Sequence, residues 1–192
     1  MINTELIERC QRGEKDSLTE LYRLYSKNAL GTAYLIAGNK GIADDIVQET
    51  FIQCFLSIKK LICPETFEVW FYRILVRTGW RMVKKHNEVI PTEDGAIERI
   101  TNALGQDSEI RGSENKIIIS NALEKLSLPL KSVVVLHYYN DMTIEEISEV
   151  LGCFPGTVKS RLHNAKKKLY CELNGSLNDD RLKGNPALKR GV

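Results

Sequence analysis

The chain has 192 residues, of which 43% are hydrophobic, so it is long enough for one ordinary domain or two small ones. Its apolar runs are shorter than the roughly 20 residues that a membrane-spanning helix needs, and its first residues lack a signal-peptide pattern. We therefore expect a cytoplasmic protein without direct membrane insertion. The five cysteines are irregularly spaced and the three histidines are scattered, which predicts no disulfide framework, no metal site and no cofactor.

The net charge of +2 conceals a strong segregation of charge along the chain. Residues 71–87 carry five cations and no acid, whereas residues 88–114 carry seven acids against two arginines. Residues 155–173 carry five cations against one glutamate. Two basic elements joined by an acidic connector predict a polyanion that is contacted at two places.

The first 88 residues predict one compact domain of four helices. Apolar residues recur at helical spacing, without the sustained alternation that a strand needs. Asp16 is a good N-cap for the second helix, and Gly38 can end it. The predicted helices run over about residues 3–11, 16–37, 41–57 and 65–86, with a break at 60–64.

The rest of the chain predicts a linker, a second helical domain and a tail. Residues 89–112 combine glycines with acidic and amide residues, which is typical of a flexible acidic linker. Residues 113–174 form the second domain, with helices through 117–126 and from Pro129 onward. Residues 175–192 are polar and contain three glycines and a proline, so we expect a disordered tail.

A helix-turn-helix pattern lies within the second domain. Thr143 and Glu146 match a capping box, Gly152 suits the end of a short helix, and Pro155 suits the first position of a longer basic helix ending near residue 173. The outward and flanking residues that would meet DNA are Thr157, Lys159, Ser160, Arg161, His163, Asn164 and Lys167. The alternative is an ordinary helical hairpin with a solvated basic face.

The fourth helix supplies a second candidate surface for nucleic acid. Arg73, Arg77, Trp80 and Lys84 share one stripe, with Arg81 at its border. Cations suit phosphates, and an exposed ring suits a base. A salt-bridged surface with a partly buried tryptophan explains the stripe equally well.

The third helix carries Asp45, Gln48 and Glu49 on its polar face, with Asp44 beside them. Two carboxylates one turn apart could form a metal or acid–base pair. No histidine or further acid converges on them in the sequence, so we predict no catalytic residue. A solvated face and a docking surface for a basic protein remain as interpretations.

Three motifs resemble those of bacterial RNA polymerase sigma factors. Residues 45–51 resemble the Asp-x-x-Gln-Glu-x-Phe motif of region 2.2, and residues 67–74 resemble the signature that opens regions 2.3 and 2.4. Residues 156–162 resemble the core of the region 4.2 recognition helix, and Leu128 with Pro129 looks like region 4.1. The order matches over about residues 1–174, and without regions 1.1 and 3 the chain is similar to the extracytoplasmic-function group.

The resemblance implies an all-α fold with two small helical domains, one sigma-2-like and one sigma-4-like, and a non-enzymatic role in transcription initiation. Asp45, Gln48 and Glu49 would bind the clamp helices of the largest polymerase subunit. The recognition helix would read the minus-35 element, and an anti-sigma factor, often itself membrane-anchored, is an expected partner. The minus-10 element would be bound by Lys60, Leu61, Ile62, Cys63, Arg73, Arg77, Trp80, Arg81 and Lys84.

Two other functions compete with this interpretation. A stand-alone helix-turn-helix regulator would share the second domain, but it needs neither the motif at 45–51 nor the one at 67–74. An enzyme would need a reactive constellation, and the sequence contains no Gly-rich phosphate loop, Ser-His-Asp set or metal cluster.

Overall fold

The computed structural model describes the backbone of residues 4–89 and 118–183 and the side chains of residues 4–87 and 118–173. Within these ranges no residue is in a strand, so the predicted all-α class is confirmed. Residues 118–124 are helical, and two 3₁₀ turns, Ile58–Lys60 and Pro64–Thr66, precede the fourth helix. The other helices are α1 (Thr4–Arg12), α2 (Lys15–Ala37), α3 (Lys40–Ser57), α4 (Phe67–Val89), α5 (Leu128–Tyr138), α6 (Ile144–Leu151) and α7 (Pro155–Lys183).

The core of the first group of helices, α1 to α4, is built around aromatic rings. Phe67 and Phe71, one turn apart on α4, are fully buried and have ring centroids 5.6 Å apart. Tyr25 of α2 and Phe51 of α3 contact the Phe71 ring at 5.6 and 5.2 Å. Because aromatic side chains bury large apolar areas, this cluster holds α2, α3 and α4 together.

The start of α2 differs from the prediction. Its N-cap is Glu14, in extended conformation and without a side-chain cap hydrogen bond, so the expectation that Asp16 caps the helix is wrong. Arg9 and Arg12 hold the Glu14 carboxylate at 3.1 and 3.0 Å, and α2 begins directly after it. Asp16 lies instead in the first turn, where the positive end of the helix dipole stabilises its negative charge. Gly38 ends α2 with a φ of 69°, as predicted.

The second group of helices contains the predicted helix-turn-helix. The capping box of Thr143 and Glu146 begins α6, and Gly152 ends it in the left-handed conformation with a φ of 63°. Pro155 is the first residue of α7. The core joins α5, α6 and α7 through buried side chains: Val133, Leu136, Ile147, Val150, Val158, Leu162 and Ala165.

The last helix is longer than predicted, since α7 continues to Lys183 rather than ending near residue 173. The expectation of a disordered tail is therefore wrong for residues 175–183, and residues 184–192 lie outside the described ones. A single glycine weakens a helix without ending it, and the next proline after Gly175 is Pro186. The predicted linker lies outside the described residues from position 90 onward, and the division into domains stays a prediction.

The two groups of helices pack against each other. α4 lies against α6, and α2 lies against α5. None of the described helices is long and apolar enough to cross a membrane. The packing brings one face of α4 into contact with the helix-turn-helix.

Candidate nucleic-acid interface

The outer face of α7 is polar and open to solvent. The side chains of Val158 and Ala165 are fully buried. The burial pattern agrees with the predicted rotation of this helix, because its exposed residues include Lys159, Ser160, His163, Asn164 and Lys167. Short polar side chains with cations beside them can meet both base edges and phosphates.

The turn before α7 contains features that the sequence prediction missed. The Phe154 side chain is 84% exposed at the start of the helix. Arg161 and Thr157 are half-buried, and the Arg161 Nη1 lies 3.8 Å from the Cys153 Sγ. Arg161 is therefore held toward the turn, at the flank of the outer face of α7. The sequence offered one signal for this exposure, because Phe154 lies in a short turn outside the apolar stripe of either helix.

The cationic stripe of α4 is only partly open. Arg77, Arg81 and Lys84 are exposed, whereas Arg73 and Trp80 are half-buried. Of the two interpretations of this stripe, the structure agrees with the one in which the tryptophan is partly buried. The Trp80 Nε1 donates a hydrogen bond of 2.9 Å to the Ser132 Oγ on α5, which covers part of the indole.

The loop before α4 forms a cleft with that helix. Gln11 donates from its Nε2 to the backbone oxygen of Leu61 at 2.7 Å, so Leu61 is a buried anchor of the loop. Ile62 is 92% exposed and Cys63 is exposed, while Lys60 is exposed at the other end. The cleft of about 320 Å³ is lined by Lys60, Leu61, Ile62, Cys63, Thr66, Val69, Trp70, Arg73 and Glu149.

The acidic face of α3 contains two exposed side chains and one glutamate that contacts neighbouring side chains. Asp45 and Gln48 are exposed. Glu49 accepts a hydrogen bond of 2.7 Å from the Gln53 Nε2 and lies 3.5 Å from the Arg81 guanidinium of α4. The pair joins residues that the sequence assigned to two separate surfaces.

Apolar side chains that the sequence prediction missed lie beside this acidic face. A groove of about 740 Å³ runs between α2 and α3. Tyr22 and Ile52 at its walls are 47% and 46% exposed, so two large apolar residues lie open to solvent in the same groove. The groove is lined by Tyr22, Ser26, Lys27, Leu30, Asp44, Val47, Gln48, Phe51, Ile52 and Phe55.

The groups with the largest pKa shifts lie in the core. Burial raises the pKa of the Cys54 thiol to about 12, and nearby Cys10 adds to this shift. Burial also raises the pKa of Tyr72 to about 12. These groups stay neutral at physiological pH. In the described ranges, no three His, Cys, Asp or Glu side chains converge as metal ligands would.

Comparison with known families identifies both groups of helices. The model of Sigma-70 region 2 matches residues 21–88, and the model of Sigma-70 region 4 matches residues 116–169. RNA polymerase sigma factor SigV of Bacillus subtilis is 30% identical over 158 residues, which is 82% of this chain and 87% of the relative. The chain belongs to the extracytoplasmic-function RNA polymerase sigma factors. The stand-alone regulator is therefore not favoured.

Other relatives of this sigma factor agree. ECF RNA polymerase sigma factor SigW of Bacillus subtilis is 25% identical, over 90% of this chain and 97% of the relative. CnrH, solved in complex with the cytosolic domain of CnrY, superposes with a TM-score of 0.70 over 91% of this chain and 99% of that one, at 18% identity. RpoE of Bartonella quintana, solved with the anti-sigma factor NepR, gives 0.67 over 81% and 96%, also at 18% identity. At these identities the two structures show a shared fold.

Proposed function

We propose that this sigma factor directs RNA polymerase through three surfaces: α3 for the core enzyme, α4 with its preceding loop for the minus-10 element, and α7 for the minus-35 element. The observation that carries the proposal is the outer face of α7, where Ser160, His163 and Asn164 are exposed within the region 4 match. Sigma factors as a class are not enzymes, and each surface is suited to binding.

The polymerase surface combines charge with apolar area. Asp45 and Gln48 are exposed on α3, and Gln48 also lines the groove with Tyr22 and Ile52. The apolar groove can bury a partner's side chains, while the charge of Asp45 favours a partner with a basic surface. Such a surface fits the clamp helices of the largest polymerase subunit.

Charge reversal tests the polymerase surface. Asp45→Lys should weaken binding to core polymerase by about tenfold or more, because a like charge at an interface opposes a basic partner. Glu49 is left unchanged, since reversing it would repel Arg81 within this chain. Glu8→Lys, at an exposed acid of α1, is the matched control and should bind normally. Equal core affinity for both variants would remove Asp45 from the interface.

The minus-10 surface would use the cleft and the open cations of α4. Arg77, Arg81 and Lys84 are exposed and would face phosphates. The cleft beside Trp70 has a mixed polar and apolar lining, as a single unstacked base requires. Its volume of about 320 Å³ is large enough for one planar group.

An anti-sigma factor is a further proposed partner. Two sigma factors with this fold have been solved as complexes, one with the cytosolic domain of CnrY and the other with the anti-sigma factor NepR. We propose that this chain is likewise held by an inhibitory protein, which is itself often membrane-anchored in the family. Affinity purification of the chain from its own cells, followed by transcription assays with the recovered partner, tests this.

In-vitro transcription is the decisive experiment for the function. Core polymerase alone gives little promoter-specific RNA, and addition of this chain should produce discrete transcripts from a library of genomic fragments. Asp45→Lys should abolish them and Glu8→Lys should not. No discrete transcript with the wild-type chain, from any fragment of its own genome, would contradict the proposed function.

A further inference from the structure

Phe154 occupies a capping position that its side chain cannot serve. It directly precedes α7, and its backbone oxygen accepts hydrogen bonds from the amides of Thr157 and Val158 at 2.8 and 3.2 Å, so it is the N-cap. Good N-cap side chains accept a hydrogen bond from a free amide of the first turn. Asn39 and Thr143 do this for α3 and α6. A phenyl ring has no acceptor, so the start of α7 lacks this stabilisation.

The Phe154 ring is also unused in core packing. It is 84% exposed, whereas the other four of the five phenylalanines are buried or half-buried. The core beneath this turn is filled instead by Ile147, Val158 and Leu162. A single exposed aromatic is ordinary on a protein surface, but one that also replaces a capping side chain opposes stability twice. Residues that break local rules in this way are expected where a chain has a function.

The ring lies at the end of α7 that meets base edges when a recognition helix enters the major groove. The next two residues, Pro155 and Gly156, are exposed. A Cβ atom on Gly156 would have no neighbour within 4 Å, so the space beside the first turn is open. A DNA strand can therefore approach the start of this helix closely.

A cation is fixed beside the same turn. Arg161 is half-buried, and its Nη1 lies 3.8 Å from the Sγ of Cys153, the residue before Phe154. Lys159 is exposed on the same stretch of α7. Cations at the flank of a recognition helix suit phosphates. A strand whose phosphates meet Arg161 would bring its base edges to the neighbouring ring.

The chemistry of the ring restricts what it can recognise. A phenyl group offers no hydrogen-bond partner to the polar edges that adenine, guanine and cytosine present in the major groove. The C5-methyl group of thymine is the apolar exception, and its contact with a ring removes both surfaces from water. We propose that Phe154 selects a thymine within the minus-35 element by packing its ring against that methyl group. The inference rests on the proposed role of α7.

Removal of one methyl group from the DNA tests the proposal in the holoenzyme. A preferred minus-35 element is selected from a randomised library, and each thymine is then replaced in turn by deoxyuridine, which lacks only the C5-methyl group. At one position the wild-type holoenzyme should bind about fourfold more weakly, as expected for one buried methyl-sized group. Holoenzymes with Phe154→Ser or Phe154→Ala should bind the two DNAs equally.

Two controls separate recognition from folding. Phe154→Ser supplies a capping hydroxyl, so its thermal unfolding temperature should be at least that of the wild type. A lost methyl effect in this variant is then not a consequence of unfolding. Tyr170→Ser removes another exposed aromatic of α7, which is 71% exposed and lies about 24 Å further along the helix. This variant should keep the methyl effect.

Three results would overturn the proposal: a selected element without thymine, a wild-type holoenzyme that is indifferent to every deoxyuridine, and a methyl effect that persists in Phe154→Ala. Phe154 also borders a cleft with Arg73 and Arg77 of α4. If its role were a contact with α4, its replacement would change binding equally on both DNAs, which likewise contradicts the proposal. A sequence preference without a methyl effect refutes this inference alone, whereas no preference within the library contradicts the proposed function of α7 as well.

Discussion

At the scale of single residues, we propose that the outer face of α7 separates side chains that would read bases from those that would hold phosphates. Ser160 and His163 point outward near the start of the helix, so their replacement by alanine should change the preference among minus-35 sequences. A good base contact contributes roughly 1–3 kcal/mol of discrimination, or about 5- to 150-fold. Binding to a randomised minus-35 library measures the change.

Lys159 is the contrasting residue on the same helix. It is exposed at the flank of this face. Phosphates would lie there in the proposed complex, so Lys159→Ala should weaken binding evenly across sequences and make its salt dependence shallower. Measurements at two salt concentrations reveal the slope. If Lys159→Ala alters sequence preference and His163→Ala does not, the proposed division of the outer face of α7 into base-reading and phosphate-binding residues is incorrect.

Cys54 makes stability depend on alkaline pH. Its pKa is raised by burial from the ordinary 9.0 to about 12, so the thiol ionises in the unfolded chain before it does in the folded one. The free energy of unfolding should therefore fall as pH rises from about 9 toward 12, by at most about 1.4 kcal/mol per pH unit for this group. Below pH 9 the thiol is neutral in both states and contributes no slope.

Urea unfolding of Cys54→Ala at several alkaline pH values checks this contribution. The variant should lose stability less steeply than the wild type above pH 9, although Tyr72 still contributes at higher pH. Cys171→Ala removes an exposed thiol and should keep the wild-type slope. An identical slope in all three proteins would show that Cys54 is not shielded from water.

At the scale of elements, the capping box stabilises the start of α6, the helix that packs against α7. The Thr143 Oγ1 accepts from the Glu146 backbone amide at 3.2 Å, and the Glu146 Oε2 accepts from the Thr143 amide at 2.8 Å. Thr143→Ala should lower the free energy of unfolding by about 1 kcal/mol, whereas Thr143→Ser should retain most of it. Thermal unfolding of the pair measures the difference, and equal losses for both would mean that the hydroxyl is not the stabilising group.

The elements also show where local patterns are sufficient. The capping box, Gly152 and Pro155 were readable because each controls backbone hydrogen bonds within a few residues. The prediction that Asp16 caps α2 was wrong because the arginines of α1 form salt bridges with Glu14, two positions earlier, and α2 begins directly after it. The predicted end of α7 near residue 173 was wrong because Gly175 permits the helix to continue.

At the scale of the whole molecule, the packing of α2 on α5 predicts that a glycine-to-alanine change in α2 destabilises the protein rather than stabilising it. Alanine normally stabilises a helix relative to glycine, by roughly 0.5–1 kcal/mol. Gly31→Ala should nevertheless destabilise this protein, because the new Cβ would meet the Tyr139 hydroxyl. In a Tyr139→Ala background the obstacle is absent, so the same change should stabilise.

A double-mutant cycle by urea unfolding measures this coupling between the two groups of helices. The two single variants, the double variant and the wild type are compared under one condition. An effect of Gly31→Ala that has the same sign in both backgrounds would show that Tyr139 does not pack on α2 in solution. The cycle thus tests the packing of the two groups of helices without DNA or polymerase.

The sequence by itself determined the helical class, the helix-turn-helix and the family, because periodicity, caps and motif order are properties of neighbouring residues. It also determined which side chains of α7 point outward, since helix geometry sets their rotation. Only the tertiary structure decided that Trp80 bonds Ser132, 52 residues away, and that Thr32 bonds Asn140, 108 residues away. Such pairings depend on how two separately patterned groups of helices meet. No local rule states whether a cationic stripe faces solvent, a neighbouring domain or DNA.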